Sequence, residues 1–192
     1  MLLLIVGLVI FLGTHSVRIF ADGWRTRQRE RIGAMRWKGL LSLVSLAGFV
    51  LLCWGYGIAR TQTIVVWSPP SWTHHLAALL VLFAFILLAA AHLPGTRIKA
   101  AIGHPMTAAV KVWALAHLIA NGTLADIVLF GSFLAWSVAA FASARRRDRA
   151  AGTVYPARGI GRDLAAVIAG AIAWGIFARY LHLWLIGVSP MA

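Results

Sequence analysis

Acidic side chains are nearly missing from this chain: Asp and Glu together number 5 in 192 residues, against 18 Lys and Arg, and there is a single cysteine, Cys53. One cysteine excludes a disulfide framework within the chain, a thiolate zinc site and a CxxCH segment. So few carboxylates leave no acidic metal cluster inside the apolar runs. HExxH, GxSxG and a phosphate-cradling glycine loop are also absent, which removes zincin, serine hydrolase and nucleotide-binding readings. Charge of either sign is scarce, at 12% of residues, where soluble domains carry about 25%.

What is there is apolar. The hydrophobic fraction is 61% and the mean hydropathy +0.84, the composition of an integral membrane protein. A spanning helix needs about 20 mostly apolar residues. Six runs qualify, over 2–20, 39–58, 73–93, 105–121, 124–144 and 163–188. The expected fold is all-α, a polytopic membrane bundle of about six helices in one domain over 1–192. The first run lacks a basic leader and a small-residue cleavage site, so it reads as a retained span. "SPPSW", "HLPGTR", "ANGT" and "AGTVYPARGIGR" punctuate the later runs with turn chemistry, and Pro105 suits a first helical position. Cys53, inside an apolar run, reads as a buried small hydrophobe.

The formal charge of +13 does not point to nucleic acid, because the basic residues fall in short clusters between spans. With six spans, the loops bearing Arg25–Lys38, Arg97 with Lys99, and Arg145–Arg162 share one side. That side is expected to be cytoplasmic. Five spans would put the 145–149 cluster opposite, unless the run over 105–121 were re-entrant. "RTRQRERIGAMR" suits a short interfacial helix or a solvated positive loop.

Ionisable residues inside lipid are costly and face a bundle interior or a site. In "THSVR", His15 and Arg18 are spaced i, i+3 and share a face. Arg18 can snorkel to the interface. On a helical wheel Met106, Val110, Trp113, His117 and Asn121 form one stripe, while His104 and Lys111 lie on another face with Leu115 and Leu118. His104 reads as an interfacial cap and His117 as a residue near mid-membrane. Lys111 can snorkel or meet an anionic group. His74 and His75 belong to the far interface, and His92 and His182 have no assigned role. Asp126 is an expected charge partner for Arg179.

A neutral imidazole is a good iron ligand. His15 and His117 offer two axial ligands for a haem, with Arg18 and Lys111 for its propionates, Trp113 for an aromatic wall, and Asn121 on the same stripe as a further cofactor-binding candidate. Interhelical hydrogen bonding and a proton relay remain open for the same histidines. No internal repeat supports a transporter.

The segments "FLGTHSVRIF", "HPMTAAVKVWALAHLIANG" and "LFGSFLAW" resemble the NnrU family, and the similarity runs from the first span to about Arg149. The resemblance implies a bacterial inner-membrane protein connected with denitrification and nitric oxide metabolism. A homologous domain forms 15-cis-zeta-carotene isomerase, a haem b enzyme. The histidines of its "HS" and "WxxAH" motifs are iron ligands, which fall on His15 and His117. The cysteine which that enzyme carries three residues before the second histidine is Ala114 here. The implied functions are haem-dependent nitric oxide chemistry, cis–trans isomerisation of an apolar polyene, or, without haem, membrane assembly or transport. The implied partners are the lipid bilayer, haem b, and nitric oxide or an apolar small molecule.

Overall fold

The computed structural model describes residues 1–62 and 64–190. Among them the chain forms α1 (Leu2–Phe20), α2 (Asp22–Ile32), α3 (Ala34–Thr61), α4 (Trp72–His92), α5 (Arg97–Ile102), α6 (Pro105–Ala120), α7 (Leu124–Ala151), α8 (Ile160–Ile176), a π-helical turn over Phe177–Leu181, and α9 (His182–Ile186). No strand occurs among the described residues, only one antiparallel bridge between Val65 and Thr123.

Five of these stretches are long and apolar enough to cross a membrane: α1, α3, α4, α7 and the run Ile160–Ile186. The remaining expected span is α6, with 16 residues. At 1.5 Å per residue it reaches about 24 Å, short of a full hydrocarbon core. It packs between α4 and α7, so its polar groups meet protein on two sides. Pro105 opens it, where a missing N–H costs nothing. Thr123 then starts α7 with a capping box closed by Asp126.

The spans are arranged in a curved row, in the order α3, α1, α7, α6, α4, α8. Its two ends meet where Arg60 Nη1 donates to the Ile186 carbonyl at 2.9 Å. Small residues set the closest crossing. A Cβ on Gly55 would run into the Leu4 backbone, one on Gly7 into Leu52, and one on Gly48 would lie 2.7 Å from Phe11 N. In lipid, where apolar contact with tails competes with apolar contact between helices, such backbone approach drives association.

The basic loops gather at one end of the bundle. There Arg18 and Asp22 meet Arg146 and Arg147, Arg162 Nη1 donates to the Pro94 carbonyl at 2.6 Å, and Arg158 N donates to Gly95 O at 2.8 Å. The opposite end carries the Val65–Thr123 bridge and Arg60. The clustered pattern expected from Lys and Arg is therefore present as a spatial fact.

Several expectations change. Cys53 is exposed on α3 rather than buried, so it faces the acyl chains. Asp126 is buried, and its partners are Tyr56 and Thr123, not Arg179. The last span is not one regular α-helix, because the π-helical turn interrupts it at Phe177. Asn121 lies just past α6 as its C-cap, and Met106, on the expected stripe, is exposed.

Candidate functional site

The first span carries three consecutive polar residues one turn before its end, and each bonds to its own helix. Thr14 donates to Ile10 O at 2.6 Å and Ser16 to Leu12 O at 2.6 Å, while His15 Nδ1 lies 2.7 Å from Phe11 O. This back-bonding keeps short polar side chains tolerable inside a span. For His15 it assigns the proton to Nδ1, since a carbonyl only accepts, and leaves Nε2 with a lone pair. The imidazole lies against Phe11, with centroids 4.5 Å apart, and meets Trp136 edge-on at 6.0 Å. It is exposed on a groove of about 400 Å³ between α1 and α3, walled by Phe11, Leu41, Leu46 and Phe49 with Thr14 and Ser45. The indole N–H of Trp136 is buried and has no hydrogen-bond partner. Trp136 does not itself line the groove, and the buried Trp37 indole N–H is likewise unpaired.

His117 occupies the last turn of α6, not the middle of a span. Its Nδ1 lies 2.9 Å from Trp113 O, the same self-anchoring as in His15. Its ring stacks on Phe130 at 4.6 Å and 27°, with Trp113 at 5.1 Å. Asn121 Nδ2 donates to the His117 carbonyl at 2.8 Å, so Asn121 caps the helix behind the ring. Asp126 and His182 lie within electrostatic reach. Asp126 itself accepts from the Tyr56 hydroxyl at 2.5 Å and from the Thr123 hydroxyl at 2.6 Å.

The two histidines occupy different levels. His15 meets Trp136 and His117 meets Phe130, six positions apart on α7, which is about 9 Å along the helix axis. A ladder of ring contacts links them: His117 to Trp113, Trp113 to Phe133 at 5.5 Å, Phe133 to Phe11 at 5.9 Å, and Phe11 to His15. Aromatic side chains, rather than an open slot, lie on the path between the imidazoles.

The other candidates separate likewise. Lys111 Nζ sits 4.2 Å above the Phe141 ring, a cation–π contact. Arg18 lines a second cavity with Arg146 and Arg147.

A further cluster was not anticipated. At the basic end His104 Nε2 lies 2.8 Å from Asp148 Oδ2, and the Tyr155 hydroxyl donates to both Asp148 oxygens at 3.1 and 3.2 Å. Burial, then the hydrogen bond and charge of Asp148, push the Tyr155 phenol up, and Arg145 opposes them. Gly103, at φ 79°, fits this corner because a Cβ would lie 2.9 Å from Arg145 Nη1. Tyr155 and Asp148 also tie the loop after α7 back to the start of α6.

Against a haem b the residues fit in part. His15 has an anchored Nδ1, an unbonded Nε2 and apolar groove walls, which would suit holding the iron on one side, while Arg18 lines the separate α1–α7 cavity. Two histidines on opposite faces of one macrocycle are not arranged here. A metal cluster is not arranged either: among the described residues no three His, Cys, Asp or Glu side chains gather around a common point. Ala114 is fully buried, so the position of the alternative thiolate ligand is filled by packing.

No curated protein and no solved structure is significantly similar to this chain. The family model described as NnrU protein matches residues 3–190, nearly its whole length. Together with the apolar bundle, this shows that the chain is a membrane-type helical protein belonging to the NnrU family.

Proposed function

We propose that this protein is a haem b protein of the bacterial inner membrane, with its basic loops in the cytoplasm and His15 as the iron ligand, acting in nitric oxide or denitrification chemistry. The observation that carries the reading is His15 itself: a self-anchored imidazole with a free Nε2 on a lipid-open groove, beside the unpaired Trp136 N–H. Haem, when bound, supplies an iron that takes up a diatomic gas or exchanges one electron. The chain's own part is to fix the imidazole tautomer through Phe11 O, to wall the groove with Phe11 and Phe49, and to offer Arg18 to a propionate. His117 is the proposed second ligand only if α6 and α1 approach further when haem is present; Trp113, Lys111 and Asn121 then belong to the same pocket.

The test is the visible spectrum of the purified protein after haem supplementation. A Soret band that disappears in His15→Ala and persists in His117→Ala supports single ligation. Loss in both supports the two-histidine form. No band in the wild-type protein overturns the proposal and favours a haem-free assembly or transport role.

A second reading, isomerisation of an apolar polyene, is favoured by the sideways opening of the groove toward lipid. Conversion of a 15-cis polyene by the reduced protein would support it, and unchanged substrate would count against it.

A further inference from the structure

We propose that the cavity at the basic end of the α1–α7 seam binds the phosphodiester headgroup of an anionic lipid. The cavity, about 340 Å³, is lined by Arg18, Arg146 and Arg147, with Asp22, Ser143, and apolar Ile19 and Ala150. Arg147 Nη1 donates to Ser143 Oγ at 2.8 Å, which orients one guanidinium along the wall. Asp22 is the one carboxylate at the cavity, and Arg25 Nη1 already engages it at 3.2 Å. Asp22 and Arg25 offset each other, which leaves Arg18, Arg146 and Arg147 as a net positive charge at the cavity. Like charges gathered around a cavity repel one another, and the arrangement is relieved by a bound anion. Guanidinium forks match phosphate oxygens, and Arg is weakly hydrated enough to hold them at an interface.

Depth selects a lipid over a free ion. Arg18 stands two residues before the end of α1 at Phe20, and Ser143 to Arg147 are where α7 changes from apolar to basic. The cavity thus lies where hydrocarbon gives way to headgroups. Above it α7 exposes Val138 to the acyl layer, and below it α1 exposes Phe20. A phosphate seated between the arginines leaves its chains free to run up the seam. This clamps α1 to α7 at the end opposite Thr123; Arg18 is shared with the proposed propionate contact, so the test turns on Arg146 and Arg147.

The experiment uses the full chain in neutral detergent, delipidated, with thermal unfolding and native mass spectrometry as readouts. The probes are phosphatidylglycerol, phosphatidylcholine and inorganic phosphate at equal phosphate concentration. Phosphatidylglycerol is expected to raise the melting temperature and remain bound as one adduct, while the other two do neither. Arg146→Gln with Arg147→Gln is expected to weaken this binding about 30-fold, from the attraction of each basic side chain to an anionic surface. Arg146→Gln alone, on an exposed side chain, gives a smaller loss and keeps the test readable if the double variant folds poorly. Arg29→Gln with Arg31→Gln removes the same charge elsewhere and should leave binding unchanged. An equal loss in that control, or an equal shift with phosphatidylcholine, overturns the inference, and an equal shift with inorganic phosphate reassigns the cavity to a free anion and overturns the lipid. Binding retained in His15→Ala separates this result from the haem reading.

Discussion

Gly55→Ala is expected to destabilise the bundle, although the same change two residues on, at Gly57, does not. A Cβ at Gly55 would sit 2.6 Å from Leu3 C and 2.8 Å from Leu4 Cα, both backbone atoms. Carbon atoms in contact sit about 3.5–4.0 Å apart, so α1 must withdraw from α3 by about 1 Å, and a gap of that size forfeits up to about half of each neighbouring contact. Overpacking of this kind costs about 1–3 kcal/mol. Replacing glycine within a helix returns about 0.5–1 kcal/mol, leaving a net loss of about 1–2 kcal/mol. Gly57 has nothing within 4 Å of its Cβ position, so Gly57→Ala keeps only the helical gain. At about 2–4 °C per kcal/mol for a chain of this size, Gly55→Ala should melt several degrees below wild type and Gly57→Ala at or above it. Size-exclusion thermostability of the detergent-solubilised protein reads both. Equal melting temperatures for the two variants would falsify the view that backbone contact between α1 and α3 holds this seam. Gly48→Ala adds a functional corollary: its Cβ would press on Phe11 N, and Phe11 O holds His15, so any Soret band should shift as well as the melting point.

Three other expectations test the two ends of the bundle. Asp126→Ala leaves the Thr123 N-cap but removes the carboxylate half of the α7 capping box, worth about 1 kcal/mol, and the Tyr56 hydrogen bond, worth about 1 kcal/mol more; Tyr56→Phe should lose only the second part, and equal losses would contradict the division. The Tyr155 phenol is raised from its ordinary value of 10.0, so its neutral form is favoured in the folded chain. Its contribution is therefore full below pH 10 and is lost as pH climbs through the raised value, so the stability gap between wild type and Tyr155→Phe should narrow in strong alkali and stay constant from pH 6 to 9. Asp148→Asn breaks the tie between His104 and Tyr155. It should speed tryptic cleavage after Arg158, in the loop those residues pin, with little change at Arg29 in α2; an unaltered digestion pattern would show the loop is held by other bonds.

The helices and their order were legible because run length is a one-dimensional signal, but six spans were expected and five helices are long and apolar enough to cross, with α6 falling short. Which helix touches which was not. In water an apolar face points inward, but here Leu43, Phe49, Val50 and Trp54 of α3 are exposed because lipid is their solvent. The glycines carried the contact information instead, and a hydropathy scan overlooks them. Cys53 illustrates the same reversal: an apolar neighbourhood in the chain predicted burial, and the side chain faces outward. The wheel correctly paired Trp113 with His117, whose rings touch, and separated both from His104. The sequence placed His117 near mid-membrane, whereas the structure has it in the last turn of α6. His104 and Asp148 are 44 residues apart, and no periodicity joins them.

The scarcity of acid then explains which groups are left for function. Of the carboxylates, Asp126 is taken by Tyr56 and Thr123, Asp148 by His104 and Tyr155, Asp22 by Arg25, and Asp163 accepts from Ile98 N. Their partners stitch helices and loops at the two ends of the bundle, where a polar bond also relieves exposed helix termini. Between those ends the α1–α7–α6 interface is lined by Phe11, Trp113, Phe130 and Phe133, rings without an ionisable group. His15 stands outside this arrangement. One nitrogen is satisfied on its own helix, the other faces a groove, and an unpaired indole N–H lies beside it. The bond to Phe11 O offsets part of the cost of an imidazole facing lipid, and Nε2 is left without a partner in the bundle. The cost is intelligible if Nε2 has a ligand, and that places the decisive experiment on His15 rather than on the better-buried His117.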